Sequence, residues 1–271
     1  MDKEIAKEVV KEIGKDVYAD GAKPVVKPTG ELLGLVPRAI KAALSPLEKW
    51  ILRQEYNIEE TKKLLEEKLE NIPPEMIEGP EPHIAVPAIQ YISYCMDNEE
   101  LRDMYANLLA NSMIEIVKNG IHPSFIEIIK QLSPDEARIM NDFKIADTQP
   151  TISLRAEVES GGGIVYLKNY CKVGILAQCE RPNDVPLYFD NLKRLGLIEL
   201  HNNHYLADNS IYEELEKLEY IQMKIKDNPY ESYGYTTVKV QRGYAELSEF
   251  GKLFCRICIG DKPIIMSQIK I

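Results

Sequence analysis

Cys255 and Cys258 are separated by two residues in LFCRICI, and His201 and His204 by two residues in HNNHYL. A CxxC pair is half of a zinc site, and the HxxH could supply the other half, so a mixed Cys/His metal site is the first chemistry to weigh. The surroundings argue against it. The cysteines are flanked by apolar residues on both sides, and an i, i+3 pair suits the buried face of a helix. His122 raises a second question. It precedes Pro123 at the entrance of a short apolar helix, in HPSFIEII, where its ring can accept from a free backbone N–H or pack on Phe125. Ser124 is its sequence neighbour, and no acid and nucleophile nearby complete a triad. His122 is therefore expected to be a joint between packed helices.

Asn107 and Asn111 lie four residues apart, with Asp103 one turn earlier, on the shoulder of an apolar helix face. Such a polar ridge serves either a ligand or subunit contact or a helix–helix hydrogen bond that sets register. Asp103, Asn107, Asn111 and His122 are accordingly the candidate interaction surface. Gly161-Gly162-Gly163 lacks the Gly-Lys-Ser/Thr of a phosphate loop and the spaced glycines of a dinucleotide site, so it reads as a turn. The acidic pairs Glu66-Glu67, Glu99-Glu100 and Glu213-Glu214 lie on charged helix faces, without the apolar setting that would raise a carboxyl pKa for acid–base work. No catalytic or cofactor-binding residue is assigned, and a non-enzymatic protein is expected.

The elements that hold these residues change character along the 271-residue chain. Up to about Met140 the signals are helical. Ile5, Val9, Ile13 and Val17 repeat at four-residue spacing in an amphipathic N-terminal helix that lacks the apolar core of a signal peptide. Asp97 with Glu100 reads as a capping box, followed by one helix through EELRDMYANLLANSMIEIVK that Asn119-Gly120 ends in a left-handed turn. Ser133-Pro134-Asp135-Glu136 is a second cap signature. The proline-dense stretch 71–87 is expected to be a linker or packed loop. Beyond Met140, TISLRAEV, GIVYL and YTTVKVQRGYAEL read as strands.

The predicted fold is mainly α with a smaller α+β part: an N-terminal helical segment over 1–70, a central helical block over 71–132, and a winged-helix-like C-terminal domain over 133–271. That last assignment rests on a helix ending near Gly196, LGLI, the hairpin tip and return HNNHYL, and a closing LSEFGKLF helix, with a charged helix inserted at 208–226.

Charge narrows the partners. The formal net charge is -10 and the pI about 5.1, which repels phosphate backbones and anionic lipid. From Ser133 onward, 17 Lys and Arg face 20 Asp and Glu, and the helix a DNA reader would insert carries Asp184 and Asp190 beside Lys193 and Arg194. Nucleic acid is disfavoured, and the winged helix is expected to contact protein or to support self-association. The segment 30–51 is apolar and poor in acids, so it either packs in the core or reaches a membrane conditionally; no stretch is long enough to span one. Five cysteines at irregular spacings fit reduced thiols in the cytoplasm.

The run LENIPPEMIEGPEPHIAVPAIQYISYCMDNEELRDMYANLLANSM, followed by HPSFIEIIKQLSPDEARIM, LKRLGLIEL and LSEFGKLFCRIC, resembles the abortive-infection alpha (Abi-alpha) family of bacterial phage-defence proteins. LGLVPRAIKAALSPLEKWI is similar to the N-terminal portion of that family. The resemblance implies a role in antiviral defence in which an infected cell is shut down before progeny phage emerge. It carries over no catalytic residue.

Overall fold

The computed structural model describes residues 35–51 and 58–260, with side-chain surroundings for 35–45 and 60–260. The amphipathic helix expected at Ile5–Val17 and the first residues of the 30–51 segment lie outside the described residues. The helical part comprises α1 (Leu35–Ile51), α2 (Ile58–Leu69), α3 (Pro82–Tyr94), α4 (Glu99–Ser112), α5 (Glu115–Lys118), α6 (Phe125–Lys130) and α7 (Pro134–Ile145). There follow β1 (Thr148–Glu157), β2 (Gly163–Tyr170), α8 (Val173–Leu176), α9 (Val185–Arg194), β3 (Ile198–His201), α10 (Ser210–Glu216), α11 (Glu219–Lys226), β4 (Thr237–Leu247) and α12 (Glu249–Cys258). The chain is mainly α with a smaller α+β part.

At the centre of the helical part is α4, buried on every side from Met104 to Ser112. A helix buried all round must be enclosed by others, and α2, α3, α6, α7 and α12 all pack on it. Its start is capped by Asn98, whose side chain accepts from the Leu101 N–H at 2.9 Å, so the cap falls one residue later than Asp97. Its end also departs from expectation. Ile114 is extended and bridges Ile77, while the Glu78 N–H donates to the Met113 carbonyl at 2.7 Å; this pairing divides the expected long helix into α4 and α5. Asn119 remains right-handed at φ -72°, so no left-handed turn closes α5. The proline-dense stretch is half loop and half helix, because Pro82 opens α3 at its first position.

The Ser133 capping box forms as the sequence predicts: the Ser133 side chain accepts from the Glu136 N–H and the Glu136 carboxylate accepts from the Ser133 N–H. The strands form one four-stranded antiparallel sheet in the order β2-β1-β4-β3. β1 and β4 pair along their length, from Thr148 opposite Glu246 to Glu157 opposite Thr237. Gly196, at φ 75°, makes the left-handed turn from α9 toward β3. HNNHYL contains no return strand; the partner of β3 is β4, reached only after α10 and α11. The charged segment 208–226 is two helices, because Leu218 adopts an extended ψ of 136° between them.

One cluster of buried side chains runs from Val36 to Ile259 and draws on both sides of positions 70 and 132. A second, smaller one joins Ile152, Leu154 and Tyr170 of the sheet to Tyr212, Leu215 and Ile221 of the inserted helices. Val36, Ile40 and Leu44, at successive four-residue steps of α1, belong to the main cluster. Among the described residues no helix is long and apolar enough to cross a membrane.

Candidate functional site

Asn107 and Asn111 project from α4 onto the C-terminal end of α12. The Asn107 amide donates to the Cys258 carbonyl at 3.1 Å, and the Asn111 amide donates to the Ile257 carbonyl at 2.9 Å and to its own helix at Asn107 O, 3.0 Å. The last carbonyls of a helix have no intrahelical donor, and here two side chains 146 or more positions away supply it. With exposures of 5% and 2%, these asparagines are buried, so of the two roles weighed for the ridge they take the helix–helix hydrogen bond and not the interaction surface. Asp103, one turn earlier, is half-exposed and faces the Lys68 ammonium at 3.6 Å. Asn111→Ala removes the donor to Ile257 and is expected to cost about 2 kcal/mol of stability, the penalty of a buried unpaired carbonyl, measurable by urea unfolding.

His122 has other neighbours. Its Nδ1 lies 2.6 Å from Ser124 Oγ and accepts from the Ser124 N–H at 3.2 Å, while the ring meets Phe250 edge-on at 5.3 Å and Phe125 at 6.0 Å. The exposed imidazole lies over the point where α6 meets α12.

The Cys/His set weighed and disfavoured in the sequence is not brought together. Burial pushes the Cys255 thiol up to about 12 and the Cys258 thiol well above its ordinary value, so both are neutral core side chains rather than thiolate ligands. His204 is exposed, and His201 lies instead at the edge of the sheet. There Glu199 and Glu246 stand directly opposite each other across β3 and β4, an unfavourable like-charge pair, and His201 Nε2 approaches Glu246 to 2.8 Å while its ring stacks on Tyr244 at 4.5 Å. The contact lacks hydrogen-bond alignment, so it is electrostatic and strongest with the imidazole protonated. The three ligand atoms lie within 4.8 Å of one another, and among the described residues this is the group that could hold a metal ion.

Asp135 escaped the sequence reading, which saw it only as part of a helix cap. It is buried, and its carboxylate accepts from the Glu180 N–H at 2.8 Å, the Arg181 N–H at 3.0 Å, the Tyr188 hydroxyl at 2.7 Å and Arg138 at 2.9 Å. Burial alone would raise its pKa; the Tyr188, Glu180 and Arg181 donors and the Arg138 charge outweigh that and hold it below the usual carboxylate value. Arg138 also reaches Glu100 on α4 at 2.6 Å.

Around this hub run three adjoining clefts. The first lies between Glu99, Glu100, Asp103, Asn107 and the α12 end at Cys258 to Gly260. The second, about 600 Å³, shares Glu100 with the first and is lined by Arg138, Asp142, Ile145, Leu176 and Glu180. The third, about 540 Å³ and mostly apolar, shares Glu180 and includes Leu187 and Tyr188.

The family model of abortive infection alpha matches residues 53–258. The chain belongs to the abortive infection alpha family. The matched span covers α2 to α12, so Asp103, Asn107, Asn111, His122, Asp135 and the second cleft all lie within the matched part of this Abi-alpha chain, and the match ends at Cys258, whose carbonyl Asn107 holds. No curated protein matches the Abi-alpha chain in sequence. Among solved structures it is similar to an uncharacterized protein from the hydrocarbon-degrading marine bacterium Alcanivorax borkumensis SK2, at 18% identity and a TM-score of 0.36, over 48% of this chain and 88% of that one.

Proposed function

We propose that this Abi-alpha chain is a non-enzymatic antiphage protein of the bacterial cytoplasm that aborts infection through protein contacts. Family membership supports the abortive-infection part. The observation that carries the protein-contact part is the second cleft, where Ile145 is 85% exposed and Leu176 56% exposed beside carboxylates. Membrane perturbation through 30–51 is the weaker route, because Val36, Ile40 and Leu44 already have buried partners that release would have to give up.

A second reading has its own support. The order α7-β1-β2-α8-α9-β3-β4, with β4 between β1 and β3, supports a winged-helix reading, which invites a DNA-binding regulator. Against it, the outward face of α9 sets Leu187 and Asp190 beside Lys193, and Arg194 is engaged by Asn191 and Gln131. The protein-contact role of the winged helix is therefore preferred.

The test is a phage challenge of bacteria expressing the chain, at low and high multiplicity. Protection at low multiplicity with loss of the culture at high multiplicity is expected. Unchanged plaque numbers, together with a salt-sensitive gel shift on duplex DNA, would transfer the preference to the regulator.

A further inference from the structure

We infer that the second cleft, between the C-terminal half of α7 and the α8 turn, is the docking groove for a basic amphipathic helix of a partner protein. This deepens the protein-contact reading above and rests on it. Arg138, Asn141, Asp142 and Ile145 recur at three- and four-residue steps along one face of α7, and Leu176 and Glu180 oppose them. Single exposed apolar residues are ordinary. Here two of them, Ile145 and Leu176, share one concave site, and the surface continues past Glu180 to Leu187, which is 63% exposed.

The charges choose the occupant. Arg138 is the cation of the groove, and it is already bound to Glu100 and Asp135. Asp142 is half-buried and Glu180 exposed, and neither carboxylate has an ion-pair partner among the described residues. Burial already pushes the Asp142 carboxyl upward, the mark of a carboxylate short of a cation. On one side the groove runs through Glu100 to Glu99 and Asp103, so that side is acidic; toward Leu187 Arg181 joins the lining, bound to Asp184. Nucleic acid, anionic lipid and a second copy of a chain with net charge -10 are repelled by such a surface. A Lys or Arg side chain is attracted to it. Helices α7 and α8 form the walls without an open strand edge, which suits a helix laid in a groove rather than an added strand. Apolar residues on one face of that helix would cover Ile145 and Leu176, and its basic residues would reach Asp142 and Glu180.

The probe is a fluorescein-labelled peptide of about 18 residues with Leu at helical spacing and Lys elsewhere, titrated with the full chain by fluorescence anisotropy. Its controls are a scrambled peptide without an apolar face and an analogue with Glu for Lys. The wild-type chain is expected to bind the Lys peptide and to release it as salt rises. The double variant Asp142→Asn/Ile145→Ser is expected to weaken binding by about tenfold or more while urea unfolding stays close to wild type. Glu213→Gln on α10 is expected to leave it unchanged. Equal affinity for the double variant, equal binding of the scrambled or Glu peptide, no binding at all, or self-association of the chain through this face would each overturn the inference. The phage challenge is read separately. Protection that survives in the double variant removes the groove but keeps the protein-contact function, whereas groove-dependent peptide binding without protection keeps the groove and removes the function.

Discussion

Replacing Asp135 by alanine is expected to cost about 3–5 kcal/mol of folding stability, as truncation of one partner in a buried charge network does. Four donors lose their acceptor at once: the Glu180 and Arg181 N–H groups, the Tyr188 hydroxyl and the Arg138 guanidinium. Arg138 keeps Glu100, but the loop that carries Glu180 and Arg181 loses its tie to α7. Because the folded carboxyl titrates below its unfolded value of about 3.9, its contribution is complete above that value and disappears as pH falls through the folded pKa. The gap between wild type and variant should therefore be constant near neutrality and close only below about pH 4. Urea midpoints at neutral and acid pH measure it. A loss below about 1 kcal/mol at neutral pH would show that solvent replaces the missing acceptor.

This hub explains why part of the site was legible in the sequence and part was not. The Ser133 capping box was readable because every atom it needs lies within four residues, so composition alone predicts the geometry. Asp135, two residues on, looked like another first-turn acid, since its decisive partners sit near positions 180 and 188 and enter through tertiary packing. Asn107 and Asn111 were singled out correctly as polar residues beside an apolar face. Their partners, 151 and 146 positions away, could not be read, so of the two roles weighed for them, surface contact or helix–helix hydrogen bond, only the structure shows the second, at the end of α12. The interruption at Met113-Ile114 has the same origin: locally the residues favour helix, and the Ile77 bridge overrides that preference. Ile145 was not singled out in the sequence, because its exposure beside Leu176 depends on where α8 packs, and that is set by tertiary structure.

Gly251→Ala is the other substitution expected to cost about 3 kcal/mol or more, above the usual range for an added methyl group in a core. A Cβ at this position would meet the Leu197 carbonyl oxygen at 1.9 Å and its carbon at 2.8 Å. Neither is the end of a flexible side chain that could swing aside. The same carbonyl accepts from the Ser248 N–H at 3.0 Å, and the Ser248 side chain caps α12 by accepting from the Gly251 N–H at 2.8 Å. The first turn of α12 is thus seated directly on the backbone leading into β3, and lifting it disturbs the cap, the strand entry and, at the far end of the helix, the carbonyls held by Asn107 and Asn111. Gly162→Ala supplies the contrast, since its Cβ would find Val158 at an ordinary 3.5 Å, and a change within about 0.5 kcal/mol is expected there. If thermal and urea unfolding place the two alanine variants alike, the close seating of α12 on Leu197 is refuted. If Gly251→Ala alone is strongly destabilised, the seat of α12 fixes the α4–α12 contact, and protection in the phage challenge should fall with it.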